Sequence, residues 1–369
     1  MRTRAPLLTA LVLLGRAAGA YASSAYRRTA SRGWWSTVAR RGTVCPSAWM
    51  PGRRRRLLAS VPLVWVLLWL WCAGVARATL VYVQPAGTLG SLPPHRGEIL
   101  AAGDDGARPR ALAHGFSPVI SPNGRLIAFM RYQGDREDLW TMGVKGDHQR
   151  RVLRGAGGEV TWFSDSRRLA VDRDPSVGIV TVRDRRVVDF TEDASHPSFA
   201  PDGRQLVARF GFRGSGLELL DPRKPRKSRD LGLSGNQPLW GKPGIAFVRG
   251  SAIVLLRRPR PGARGRVLFD DRRSGGHLLL AAWSQAGNRL LVGVYTLNSM
   301  DEVSPIEPVL IDARRGTVLR LPQPLSALYA VSRNGHTVLG QMGNDVVLER
   351  ADGTIKILAH NADSATWTA

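Results

Sequence analysis

The chain has 369 residues, and its formal charge of +24 comes from 53 Lys and Arg against 29 Asp and Glu, a sum that by itself points to a polyanion partner. Thirteen of the arginines and both cysteines, Cys45 and Cys72, precede residue 79, so 40 basic and 29 acidic residues, a net +11, remain for residues 79–369. With no cysteine in that stretch, a disulfide scaffold, a Cys-based zinc site and thiol catalysis are excluded for it.

In chain order, residues 1–49 hold an apolar stretch over 1–20 and then an Arg-, Ser- and Trp-containing segment without apolar periodicity; they are read as disordered or as an over-extended start. From Met50, four arginines at 53–56 precede the apolar run LLASVPLVWVLLWLWCA at 57–73 and the small-x-small pair Ala76 and Ala78. A cationic, then apolar, then small-residue order is that of a secretory signal, and the run falls short of the ~20 apolar residues of a spanning helix. Residues 50–78 are therefore expected to be a signal peptide cleaved after Ala78, with an uncleaved anchor at 57–73 as the alternative. Either way the chain is expected to be exported, secreted or held in the periplasm or cell envelope.

Residues 79–369 repeat. An apolar or aromatic residue, a small residue, a turn and an apolar strand recur as ISPNGRLIAFM from Ile120, FSDSRRLAVDR from Phe163, FAPDGRQLVARF from Phe199, WGKPGIAFV from Trp240, WSQAGNRLLVGV from Trp283 and VSRNGHTVLGQ from Val331. The intervals of 43, 36, 41, 43 and 48 residues average about 42, a spacing typical of four-stranded propeller blades. Asn-Gly and Asp-Gly supply the positive φ that hairpin turns need, and two further short strands follow in each unit, giving an antiparallel quartet a, b, c, d. Residues 79–84, 98–102 and 110–113 read as b, c and d with no a before them, and 364–367 read as an a with nothing after it. Joining them makes a blade shared between the two ends of the chain, which hides the edge strands. The expected fold is all-β, a β-propeller of seven four-stranded blades over 79–369. Six is the alternative, because the unit at Trp240 is degenerate.

The units FSPVISPNGRLIAFM with DLWTMGVKGDHQRRVL, and SHPSFAPDGRQLVARF, resemble the TolB-type, WD-like propeller repeat. That resemblance implies an exported propeller without the amino-terminal α/β domain that TolB proteins carry. It leaves scaffolding, periplasmic partner binding and substrate gating all open as roles.

The sequence shows no GxSxG, Walker loop, G-x-G-x-x-G or HExxH. The histidines at 95, 114, 148, 196, 277, 336 and 360 stand singly, so neither a metal nor a cofactor is expected, and Gly103-Asp104-Asp105-Gly106 reads as a plain turn. Residues that start strand a should line the top of the channel: Ser117, Glu159, Ser195, His196, Asn236, Gln237, Ser326 and Asp363. Of these, Glu159, His196, Asn236, Gln237 and Asp363 form a candidate funnel pocket, with Glu159, His196 and Asp363 as acid–base groups should the protein be a hydrolase or lyase acting on a small or glycan substrate. Phe163, Phe199, Trp240, Trp283 and Trp367 are expected in the core between blades.

Strand order puts the a–b and c–d turns on one face, the bottom, and the b–c and d–a links on the other. The bottom receives two consecutive basic c–d loops, DPRKPRKSRD at 221–230 and RRPRPGARGR at 257–266. Arg223, Lys224, Arg226, Lys227, Arg257, Arg258, Arg260, Arg264 and Arg266 are the expected partner-binding residues. The top holds more of the acids, including Asp135, Glu137, Asp172 and Glu307. The sequence thus leads to an exported, monomeric, non-catalytic binding or scaffold protein. Its partner would be an envelope protein or an anionic surface, phospholipid or wall polymer, and not nucleic acid.

Overall fold

A computed structural model describes residues 79–85, 97–173, 176–192, 194–211, 216–224, 227–272, 275–297 and 303–367. The two leader segments, 1–49 and 50–78, lie outside the described residues, as do His95 and Arg226. Short β-branched and aliphatic runs cut by Gly, Asn and Asp turns can bury their faces only against one another, and they form antiparallel sheets with no helix among the described residues.

The first strands are β1 (Thr79–Gln84), β2 (Glu98–Gly103) and β3 (Arg110–His114). Blade 1 is β4 (Phe116–Ile120), β5 (Leu126–Gln133), β6 (Arg136–Gly143) and β7 (Arg150–Leu153). Blade 2 is β8 (Val160–Trp162), β9 (Arg168–Asp172), β10 (Ser176–Thr181) and β11 (Val187–Glu192). Blade 3 is β12 (Ala194–Phe199), β13 (Leu206–Phe210), β14 (Gly216–Leu220) and β15 (Ser228–Ser234). Blade 4 is β16 (Asn236–Gly241), β17 (Gly244–Arg249), β18 (Ala252–Leu256) and β19 (Arg266–Asp270). Blade 5 is β20 (His277–Trp283), β21 (Arg289–Tyr295), β22 (Glu307–Asp312) and β23 (Val318–Arg320). Blade 6 is β24 (Ala327–Val331), β25 (Thr337–Met342), β26 (Asp345–Arg350) and β27 (Ile355–Ala359). The last strand, β28 (Asp363–Trp367), pairs with β1, so the seventh sheet has the order β28-β1-β2-β3.

The fold is therefore a seven-bladed propeller closed by a blade shared between the ends of the chain, and the six-blade alternative falls. The unit at Trp240 is a complete blade. It looked degenerate because Gly241 and Gly244 pair across a turn of only Lys242 and Pro243, where other units use a longer Asn-Gly or Asp-Gly turn.

The buried apolar residues form seven clusters, one at each contact between neighbouring blades, as a closed repeat array requires. The repeat length reappears as hydrogen bonds between equivalent positions. Trp162 Nε1 donates to the Val119 carbonyl at 2.9 Å, 43 residues away, and Trp283 Nε1 to the Leu239 carbonyl at 3.0 Å, 44 away. Trp240 N–H donates to Ser198 Oγ at 2.8 Å across 42 residues. The expected aromatics are in this core, with Phe163 against Phe199 at 3.6 Å between ring centroids. In blade 2, however, the indole equivalent to that of Trp283 belongs to Trp162, one residue before the Phe163 that the repeat alignment selected.

Blades also touch through their c–d turns. Gly106, at φ 81°, sits against the Leu358 carbonyl of blade 6, and Gly146, at φ 85°, against Leu112 of the closing blade. A methyl group at Gly106 meets both a left-handed backbone and a carbonyl. Gly106→Ala should cost about 1–3 kcal/mol, read as a lower urea midpoint at unchanged slope.

Candidate functional sites at the two ends of the channel

The seven first strands, β4, β8, β12, β16, β20, β24 and β28, follow one another round the axis. In six of them the ladder to the next strand slips by a residue. Ser117, His196, Gln237 and Ser364 sit at these bulges with φ of 48°, 53°, 47° and 46°, uncommon for residues with a Cβ. Three of the four precede a proline, Pro118, Pro197 or Pro238, which the bulge accommodates because that position owes no ladder hydrogen bond.

At the top, between blades 2 and 3, five polar residues meet. Val160 pairs with Val171 and Ser195 with Arg209, so Glu159 faces Asp172 at the mouth of one blade and Ser195 faces Arg209 at the mouth of the next. The Asp172 N–H donates to the Glu159 carbonyl at 2.8 Å, and the His196 N–H donates to Asp172 Oδ2 at 3.4 Å. His196 Nδ1 lies 3.1 Å from Ser195 Oγ. Glu159 Oε1 and Arg209 Nε are buried with no hydrogen-bond partner. Burial, then the charge of Asp172, push the Glu159 carboxyl up to about 8. Burial lowers the His196 imidazole, Asp172 opposes that, and Arg209 reinforces it.

Of the candidate pocket residues, Glu159 and His196 thus come together, and Asp172 and Arg209 join them. Sequence reasoning admitted only the starts of strand a; the ends of strand b face them across the hairpin, which register alone reveals. Asn236 and Gln237 lie on β16, where Gln237 Oε1 accepts the Leu280 N–H at 3.0 Å and ties blade 4 to blade 5. Asp363 belongs to another grouping. Burial, then the charge of Asp363, raise the Tyr329 phenol, whose hydroxyl donates to Gln341 Oε1 at 2.7 Å and accepts the Ser364 N–H at 2.9 Å.

On the bottom face, one turn chemistry recurs. Asn123, Asp165 and Asp202 in a–b turns, and Asp105, Asp184, Asp221, Asp312 and Asp352 in c–d turns, each accept the N–H two residues on, an Asx-turn. In six of these the residue two on is an exposed arginine: Arg125, Arg167, Arg186, Arg204, Arg223 and Arg314. Each acid thus has a carboxylate oxygen on the backbone, and Asp165 also pairs with Arg168 at 2.8 Å. Gly103–Gly106 is such a turn, with Asp105 Oδ1 taking the Ala107 N–H at 3.0 Å.

The basic loop of blade 4 lies against the strand that follows the basic loop of blade 3, since the Gly262 N–H donates to the Leu231 carbonyl at 3.3 Å and Ala263 packs on the same core cluster as Leu231. Arg223, Lys224, Lys227, Arg257, Arg258, Arg260 and Arg264 are exposed. Among the described residues the ion pair in this group is Arg223 with Asp221 at 3.5 Å. Arg266 differs, because its guanidinium donates to the Ala313 carbonyl of blade 5. Arginines are also paired toward the top, Arg136 with Asp138 at 2.9 Å, Arg173 with Asp189 at 2.6 Å and Arg320 with Glu307 at 2.6 Å.

No family model matches the chain, and no curated protein sequence does. Among solved structures, TolB from Acinetobacter baumannii is similar at 16% identity and a TM-score of 0.50, over 79% of this chain and 66% of that one. The acylaminoacyl peptidase of Pyrococcus horikoshii is similar at 15% identity and a TM-score of 0.54, over 76% of this chain and 50% of that one. The oligogalacturonate lyase of Vibrio parahaemolyticus matches at 8% identity and a TM-score of 0.53, over 77% and 87%. This chain spans about two thirds of the TolB structure and half of the peptidase. Identities this low establish the propeller fold and nothing about activity.

Proposed function

We propose that this chain is an exported, non-catalytic propeller of the cell envelope that binds an anionic surface or an acidic envelope protein through its bottom face. The observation that carries this reading is the pair of basic c–d loops of the neighbouring blades 3 and 4, whose exposed arginines and lysines outnumber Asp221 and Asp230 beside them, inside a face whose Asx-turns carry further exposed arginines. Export rests on the leader sequence and on the likeness to TolB. The alternative, a hydrolase or lyase at the top, calls for Glu159, His196 and Asp363 on one substrate atom. Asp363 acts on the buried Tyr329 phenol, whereas the groups acting on Glu159 and His196 are Asp172 and Arg209.

Each basic residue close to an anionic bilayer contributes about 1 kcal/mol. Co-sedimentation of residues 79–369 with phosphatidylglycerol vesicles should be strong at low salt, weaken steeply as salt rises, and be absent on phosphatidylcholine. Changing Arg257, Arg258, Arg260 and Arg264 together to Gln should weaken binding at least about tenfold. Arg266 is left intact because it joins blades 4 and 5. Unchanged binding by this variant would count against the basic face.

A further inference from the structure

We propose that the polar cluster between blades 2 and 3 at the top of the channel, formed by Glu159, Asp172, Ser195, His196 and Arg209, is a binding site for a neutral polyhydroxylated ligand, a saccharide.

The first ground is satisfaction. Glu159 Oε1, beside Asp172, and Arg209 Nε, beside His196, are both buried without any hydrogen-bond partner. A buried polar atom left unmade costs about 1–3 kcal/mol, so two of them in one cluster mark a place where an outside group completes the bonding. The second is construction: the bulge at His196 puts its N–H 3.4 Å from Asp172 Oδ2 and its Nδ1 3.1 Å from Ser195 Oγ, so three of the five residues are fixed together across the two blades.

The third ground is charge. Arg209 and Asp172 carry opposite charges, Glu159 is mostly protonated at neutral pH and His196 is neutral. Arg173 is engaged with Asp189 at 2.6 Å. The cluster therefore has no net charge to match an anion or a cation. It offers instead closely alternating donors and acceptors: the Arg209 Nε–H, a Glu159 carboxylic acid, the Asp172 carboxylate, the Ser195 hydroxyl and an imidazole. Sugar hydroxyls, each able to donate and accept at once, meet such a set. This site is separate from the basic face, so either reading stands or falls without the other.

The test is calorimetric titration of residues 79–369 with glucose, galactose, N-acetylglucosamine and their disaccharides, with galacturonate and glucosamine as charged probes. Saturable binding by at least one neutral sugar, stronger than that of either charged probe, is expected. Arg209→Gln should weaken it about tenfold or more, the loss of one hydrogen bond from a charged group. Wild-type affinity should fall between about pH 7 and pH 9 as Glu159, titrating at about 8 beside Asp172, loses its proton. Glu159→Gln, which keeps a neutral donor and acceptor, should bind at pH 7 and show no such fall. The proposal is overturned if no neutral sugar saturates, if a charged probe binds better, or if Glu159→Gln follows the wild-type pH profile. That last readout decides the matter even where Arg209→Gln does not fold.

Discussion

Glu159 by itself should take about 3–5 kcal/mol from the stability of the fold as pH rises from 4.5 to about 8, and Glu159→Gln should remove that contribution. In the unfolded chain Glu159 gives up its proton near the ordinary value of 4.5, whereas in the fold burial and the Asp172 carboxylate hold it until about 8. Between those limits the native state binds a proton that the unfolded state has released, so stability falls as pH rises, and the full cost stands above the upper limit. His196 works in the opposite sense. Its imidazole is lowered by burial, so the fold is penalised as pH drops below the ordinary value of 6.5 and the unfolded chain takes up a proton that the native imidazole refuses. Urea unfolding across this range, wild type against Glu159→Gln, separates the two groups. The variant should be the more stable protein on the alkaline side and should keep the decline on the acid side. Parallel profiles for the two proteins would mean that Glu159 is not titrating in a buried site. Asp172→Asn should recover part of the alkaline loss, because it removes the charge but leaves the burial.

What the sequence made legible was whatever repeats. The spacing of about 42 residues, the Asn-Gly and Asp-Gly turns and the incomplete quartets at the two ends were enough to place seven blades and their closure, since each blade must bury the same two faces. Phe163 is in the core as expected, but the repeat register slipped there by one residue, beside the shortest interval of 36, because Trp162 and Phe163 are both buried. The site was less legible because it depends on what lies opposite. Asp172 and Arg209 were ordinary strand-end charges until pairing set them beside Glu159 and Ser195. The bulges at Ser117, His196 and Gln237 add a residue to one strand only, and an x-Pro dipeptide is a weak sign of that. Gln237 and Arg266 were read as ligand- and partner-facing residues, and each has a structural hydrogen bond to the next blade. Strand order alone put the two basic loops among the c–d turns, where β14–β15 and β18–β19 have them, while the aspartates that accept backbone N–H groups in the neighbouring turns could be read only from the hydrogen bonds.

Ending the chain after Ala362 should have a larger effect than any single substitution, because it opens the ring. β28 gives β1 its ladder partner through Leu80 with Trp367, Val81 with Thr366 and Val83 with Asp363. Ala365 and Trp367 pack in the cluster that joins blade 6 to the closing blade, and the Ser364 N–H holds the Tyr329 hydroxyl. Without β28 the buried side chains of Leu80, Val81 and Val83 lie along a bare strand edge, a template for pairing with a second chain. The losses of the partly buried Trp367, of Ala365, of the ladder bonds and of the blade contact act together, and the sum is comparable to the ~5–15 kcal/mol by which a domain is stable at all. The truncated protein should therefore fail to give a cooperative unfolding transition as a monomer and should elute from size exclusion as dimers or larger species. A synthetic peptide of residues 363–369 supplied in excess should restore the monomer and its transition, since it returns the same strand to the same edge. If the truncated chain stays monomeric with an unchanged midpoint, closure by β28 is not what holds the ring.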